Sequence, residues 1–277
     1  MENKKKLLQI IRVALLLVLI VCLVKISQTY YLSYKHKKQQ EELSIVLQNE
    51  KYNHEFEQID QQNIEEQNNE DISDKSSEVY IQIQEPEVMD QYKALYEKNN
   101  DMIGWLSIDG TIIDYPVMQN EDNEYYLHHN FYKEEDRYGC LYVKDIADVD
   151  TPGSNFFIYG HNMKDGSMFG ILDNYWEQSF YEEHPLIHFD TLYEERIYEI
   201  IAVFPSQVYR KDEDVFKYYQ FYQANTEEEF LSFYENVMAM ALYETGVTAE
   251  FGDTFLMLST CAYHVEDGRF VVLAKKM

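Results

Sequence analysis

The chain has 277 residues, with 23 basic and 50 acidic side chains and a net charge of −27. That balance argues against a nucleic-acid backbone as partner, because phosphate binding needs clustered cations to release counterions. Three cysteines are too few for a disulfide scaffold, while 45% hydrophobic and 15% aromatic content supports a real core and excludes wholesale disorder.

Charge divides the chain into three regions. Residues 1–40 hold eight basic residues and one acidic, 41–90 hold two and fifteen, and 91–277 hold thirteen and thirty-four. Within the first, Leu7 to Ile26 reads LLQIIRVALLLVLIVCLVKI, uninterrupted and apolar from Val13 to Val24. Twenty helical residues span about 30 Å, the thickness of a hydrocarbon core. The exit, Val24-Lys25-Ile26-Ser27, offers no small-residue cleavage site, so an uncleaved membrane anchor is expected rather than a signal peptide. Residues 27–85 contain no Gly or Pro and are rich in Gln, Asn and Glu. Helical fragments are expected around Glu41–Ile59, and the acidic run Ile64–Glu78 has too little to bury to order itself. The expected division is a tail at 1–6, a transmembrane anchor at 7–26, an acidic stalk at 27–85 and a folded body at 86–277.

The body opens with a helical spacing of apolar residues over Val88–Lys98. Gly104–Ile108, Asp109-Gly110 and Thr111–Val117 form a hairpin pattern around an Asp-Gly turn. Further strands are expected at Tyr138–Val143, Asn155–Tyr159, Leu186–Phe189, Arg196–Phe204, Phe255–Thr260 and Arg269–Ala274. Thr226 and Glu229 make a capping box for a helix over Thr226–Tyr243, between the sixth and seventh strands. Eight short strands with few helices predict a mainly β fold, a closed eight-stranded barrel.

Cys261 ends an apolar strand, where a side chain is partly exposed, and Arg269 opens the next. If those strands pair antiparallel, thiol and guanidinium share one rim of the barrel. By position alone the pair reads equally well as a structural cysteine and an arginine on a solvated edge. His161 follows a strand directly, in Tyr159-Gly160-His161-Asn162. His128, His129, His184, His188 and His264 have no comparable positional argument, and His36 and His54 fall in the stalk. No ligand spacing supports a metal site or a cofactor. Cys140 is expected in a buried strand and unpaired.

Leu258-Ser259-Thr260-Cys261, Arg269-Phe270-Val271-Val272 and Tyr159-Gly160-His161-Asn162 together resemble the signature of the sortases, membrane-anchored cysteine transpeptidases of Gram-positive bacteria. Ile103–Leu106 followed by Ile113–Val117, and the inserted helix, are similar to class B members. The resemblance covers Val88 to Met277. It implies that Cys261 is the nucleophile, attacking the carbonyl after Thr in an LPxTG-like or NPxTx-like sorting signal. It implies His161 as general acid and then base, and Arg269 as the oxyanion holder. Ser259, Thr260, Asn123 and Leu127 would line the substrate groove. A carboxylate that follows the cysteine in some class B members is absent, since position 262 is Ala.

The implied partners are signal-bearing surface proteins, a peptidoglycan or lipid II amine and the membrane. Both substrates lie outside the cell, so the N-terminus would be cytoplasmic and the body extracellular. Two rivals remain at this stage: a cysteine peptidase or peptidoglycan hydrolase that passes the acyl group to water, and a non-catalytic surface binding protein.

Overall fold

The structure, a computed structural model, describes residues 2–68, 87–151 and 153–277. The chain divides into two compact units, Met1–Ile45 and Val46–Met277. Helix α1 (Glu2–Asn68) begins in the first and ends in the second. It is continuous, where sequence reasoning expected only fragments at 41–59. With no Gly or Pro to interrupt the backbone, and with pairs such as Lys38–Glu42 at 3.6 Å one turn apart, the polar stretch propagates the apolar one. The acidic run expected to stay disordered is helical as far as Asn68; its remainder, and the rest of the stalk to Glu85, lie outside the described residues. The apolar part of α1 is long and apolar enough to cross a membrane by length and composition.

The second unit is built on eight strands: β1 (Met102–Ser107), β2 (Asp114–Gln119), β3 (Leu141–Val143), β4 (Asn155–Tyr159), β5 (Leu186–Thr191), β6 (Ile197–Gln207), β7 (Phe255–Cys261) and β8 (Gly268–Lys276). They close into a barrel in the order β1-β2-β3-β4-β7-β8-β6-β5, with β2–β3 and β4–β7 parallel. The expected eight-stranded barrel is therefore the observed fold. Helix α2 (Asp90–Lys98) precedes it, burying Tyr92 and Leu95 and donating the Tyr92 hydroxyl to Asp190 at 2.6 Å.

Three local readings are corrected. The Asp109-Gly110 pair does not make a two-residue hairpin; β2 begins only at Asp114, because Ile108 N bonds Ile113 O and closes a wider loop. Tyr138–Cys140 is a turn rather than strand, since Gly139 has φ +60° and a Cβ there would meet Tyr126 O at 2.3 Å. β6 runs on through Pro205 to Gln207. It pairs with β5 only over Ile197–Glu199, so beyond that stretch the missing proline N–H costs no bond to β5.

β7 is buried on both faces, which explains its unbroken apolar sequence. Leu256 and Leu258 point into the barrel with Phe156, Phe189 and Val272. Phe255 and Met257 point outward under the inserted helix α5 (Glu227–Met240), against Phe230, Phe233 and Val237. Phe230 stacks on Phe255 at 5.6 Å, and Phe233 on Phe221 at 3.8 Å. Thr226 caps α5 as expected, accepting from Glu229 N at 3.2 Å, but the Glu229 carboxylate reaches back to Asn225 N rather than to Thr226 N. Two short helices, α3 (Tyr125–His128) and α4 (Gln178–Glu183), and a 3-10 segment over Gly170–Trp176 were not legible in the sequence.

Candidate active site

The site forms where β4 and β7 end side by side. Their parallel ladder runs from Asn155 opposite Phe255 to Tyr159 opposite Ser259. On the other side β7 pairs antiparallel with β8, placing Cys261 opposite Arg269 as the spacing predicts. Cys261 is exposed at the strand end. The Arg269 guanidinium donates from Nη1 to Gly268 O at 2.9 Å and to Asp267 O at 3.2 Å. A guanidinium carries five N–H donors, so these two bonds do not exhaust it.

That register sets Cys261 and Arg269 at one end of the barrel. The Tyr142 phenol is pushed up to about 12, first by burial, then by the Cys261 charge, with Arg269 pulling the other way. Tyr218 is likewise pushed up to about 12 by burial, with Arg269 opposing and Cys261 adding. Two aromatic hydroxyls on different elements thus feel both groups. Tyr142 lies opposite Tyr159 across β3 and β4, with ring centroids 5.6 Å apart.

His161 lies just beyond β4, half-buried, with Nε2 2.8 Å from Leu127 O. A carbonyl can only accept, so Nε2 carries a proton, and in the neutral ring Nδ1 is the free base. Gly160 serves here by lacking bulk: a Cβ would meet Leu141 at 2.5 Å and Phe169 at 2.8 Å. The residues flanking His161 are tied to the cysteine segment. Thr260 Oγ1 donates to Gly160 O at 2.7 Å, and Asn162 Nδ2 donates to Cys261 O at 2.9 Å. The same Nδ2 lies 3.0 Å from both Asp173 carboxylate oxygens.

The four residues expected in a substrate groove all hold internal partners. Ser259 is buried with Oγ 2.9 Å from Tyr218 Oη, and Thr260 is buried on its bond to Gly160. Asn123 makes a reciprocal pair with Asp145, at 2.8 Å each way. Leu127 presents its carbonyl to His161. Sequence reasoning gave no role to Tyr142, Tyr218, Asn162 or Asp173, of which only Asn162 lay within a quoted motif. Cys140 is free and fully buried, and burial pushes its thiol well up. Among the described residues no group of His, Cys, Asp and Glu could hold a metal ion.

The Sortase domain family matches residues 106–277. The chain belongs to the sortase family. Within it, sortase B of Listeria monocytogenes is 36% identical over 196 residues, covering 68% of this chain and 75% of that protein. The crystal structure of sortase B from B. anthracis in complex with AAEK1 superposes with TM-score 0.60 at 35% identity, over 69% of this chain and 85% of that one. A Staphylococcus aureus sortase B–substrate complex gives TM-score 0.62 at 27% identity, over 69% and 86%. The class B resemblance seen in the motifs is therefore correct, and this sortase is a cysteine transpeptidase that anchors proteins to the cell wall. Sortases act at the cell surface on signal-bearing proteins and cell-wall amines, and the apolar helix of this one is a candidate membrane anchor.

Proposed function

We propose that this sortase cleaves an LPxTG-like or NPxTx-like signal after its Thr, using Cys261, His161 and Arg269, and passes the acyl group to a peptidoglycan or lipid II amine. The Cys261 thiolate adds to the Thr carbonyl carbon, and the oxygen that gains charge takes N–H bonds from Arg269. As the C–N bond breaks, protonated His161 gives its proton to the departing amine, leaving a thioester. The acceptor amine then adds to the thioester carbon, neutral His161 takes its proton, and the C–S bond breaks to restore the Cys261 thiolate and protonated His161. Residues 7–26 anchor the enzyme in a single pass, 1–6 lie in the cytoplasm, 27–85 form a stalk, and 86–277 carry the chemistry outside.

The observation that carries this reading is the register that sets exposed Cys261 directly across from Arg269 at the strand ends. Ser259, Thr260, Asn123 and Leu127 shape the groove around it. Mixing the full chain in detergent with LPxTG- and NPxTx-type peptides and a small primary amine tests the assignment by mass spectrometry. The expected result is an amide product with an acyl adduct on Cys261, and loss of both in a folded Cys261→Ala variant. Acid product alone would assign the acyl group to water, and turnover surviving Cys261→Ala would end the reading.

A further inference from the structure

The β4–β7 backbone ladder ends at the last strand residue before the histidine. Gly160 N still reaches Ser259 O, but at 3.4 Å. From there on, side chains replace backbone: Thr260 bonds the residue before His161, and Asn162, the residue after it, bonds back to Cys261. The histidine is thus bracketed by two cross-links of opposite direction. We propose that Asn162 is a positioning residue of this sortase, oriented by Asp173, whose amide holds the Cys261 carbonyl and so fixes the thiol relative to His161.

The chemistry of the partners fixes which end of the amide does this. Ionised Asp173 and the Cys261 carbonyl are acceptors only, so both must face NH2 rather than the amide oxygen. With two hydrogens, the group shares one across the carboxylate and aims the other at Cys261 O, and the charge of Asp173 strengthens the first bond. Asn162 is itself buried, while Asp173 is exposed on the 3-10 segment Gly170–Trp176. The loop between them closes on itself. Asn162 bridges Met168, Phe169 N bonds His161 O at 2.9 Å, and Met168 takes the unfavourable φ of +53°. Asn162 therefore cannot drift with a mobile loop, and its hold is transmitted to the strand end.

The inference rests on Cys261 being the nucleophile. Its test measures kcat and KM of the full chain in detergent, with the same peptides and amine. Asn162→Ala should lower kcat by about tenfold or more while KM for the peptide stays within about twofold, because alignment of the reacting atoms is lost and groove contacts are not. Asn162→Asp should do the same, since a carboxylate cannot donate to Cys261 O. The exchange Asn162→Asp with Asp173→Asn restores a bond between the two residues but not the bond to Cys261, so kcat should stay low. Recovery of kcat in the exchange would show that the pair only folds the loop, and would overturn the inference. So would a wild-type kcat in Asn162→Ala. Should the buried substitutions fail to fold, the exposed partner decides. Asp173→Ala should lower kcat by about threefold or more, with Asp173→Asn recovering most of it through its remaining acceptor oxygen. No fall in Asp173→Ala also overturns the inference. Cys261→Ala separates the two levels: if it abolishes turnover while Asn162→Ala matches wild type, the inference alone fails.

Discussion

Thr260→Val tests the other half of the bracket. The change keeps volume and β-branching, so it opens no cavity, and removes one hydroxyl that is buried and bonded to Gly160 O at 2.7 Å. The Gly160 carbonyl, also buried, is left without that donor. An orphaned buried acceptor costs about 1–3 kcal/mol. In a folded unit of this size that lowers Tm by roughly 2–12 °C. Because Gly160 precedes His161, kcat should fall on the order of tenfold as the histidine loses alignment. Thermal unfolding and steady-state kinetics on the same preparation read both effects. If Tm is unchanged and only KM rises, Thr260 meets substrate rather than Gly160, and the bracket argument fails.

Arg269→Lys should lower kcat by about 10²–10³-fold with the fold kept, because one ammonium cannot reproduce the planar fork of donors; peptide turnover checks it. Asp101 is held by Tyr126 Oη at 2.8 Å, Asn120 Nδ2 at 3.0 Å and Lys133 Nζ at 3.1 Å. Burial works against its charge, yet these partners outweigh it and hold the carboxyl below its usual 3.8. A depressed carboxyl pKa stabilises the fold above pH 3.8 and loses that stability as pH falls through the lowered value. Asp101→Asn should therefore be less stable than wild type at pH 7, with the gap closing as pH falls through the lowered value, as followed by denaturant unfolding at each pH. Thr226→Ala should cost about 1 kcal/mol, read as a shift in denaturant midpoint with peptide turnover unchanged.

How much could be read from residues alone differs by level. Strand positions followed from apolar runs bounded by turn residues, and β7 and β8 in particular were legible because burial on both faces leaves no polar break. Their antiparallel pairing then put Cys261 beside Arg269 by spacing alone. The parallel β4–β7 pairing was not legible, since two strands separated by about a hundred residues carry no local signature of each other. Without it, neither the Thr260–Gly160 bond nor the Asn162–Cys261 bond can be anticipated. Tyr142 and Tyr218 were hidden for a different reason: among 25 tyrosines, nothing in sequence marks the two that close on the site. α3 is too short to show helical periodicity, yet it delivers the Leu127 carbonyl to His161, and the Asp101–Tyr126 bond steadies it one residue away.

The seclusion of Cys140 has a chemical cost for its exposed counterpart. Peroxide reaching the reactive sulfur would form a sulfenic acid, which is ordinarily rescued by condensing with a neighbouring thiol. Cys140 is buried and is withheld from that exchange. Recovery of an oxidised enzyme must then come from a thiol or other reductant outside this domain, and without one continued oxidation carries the damage to the irreversible sulfinic state.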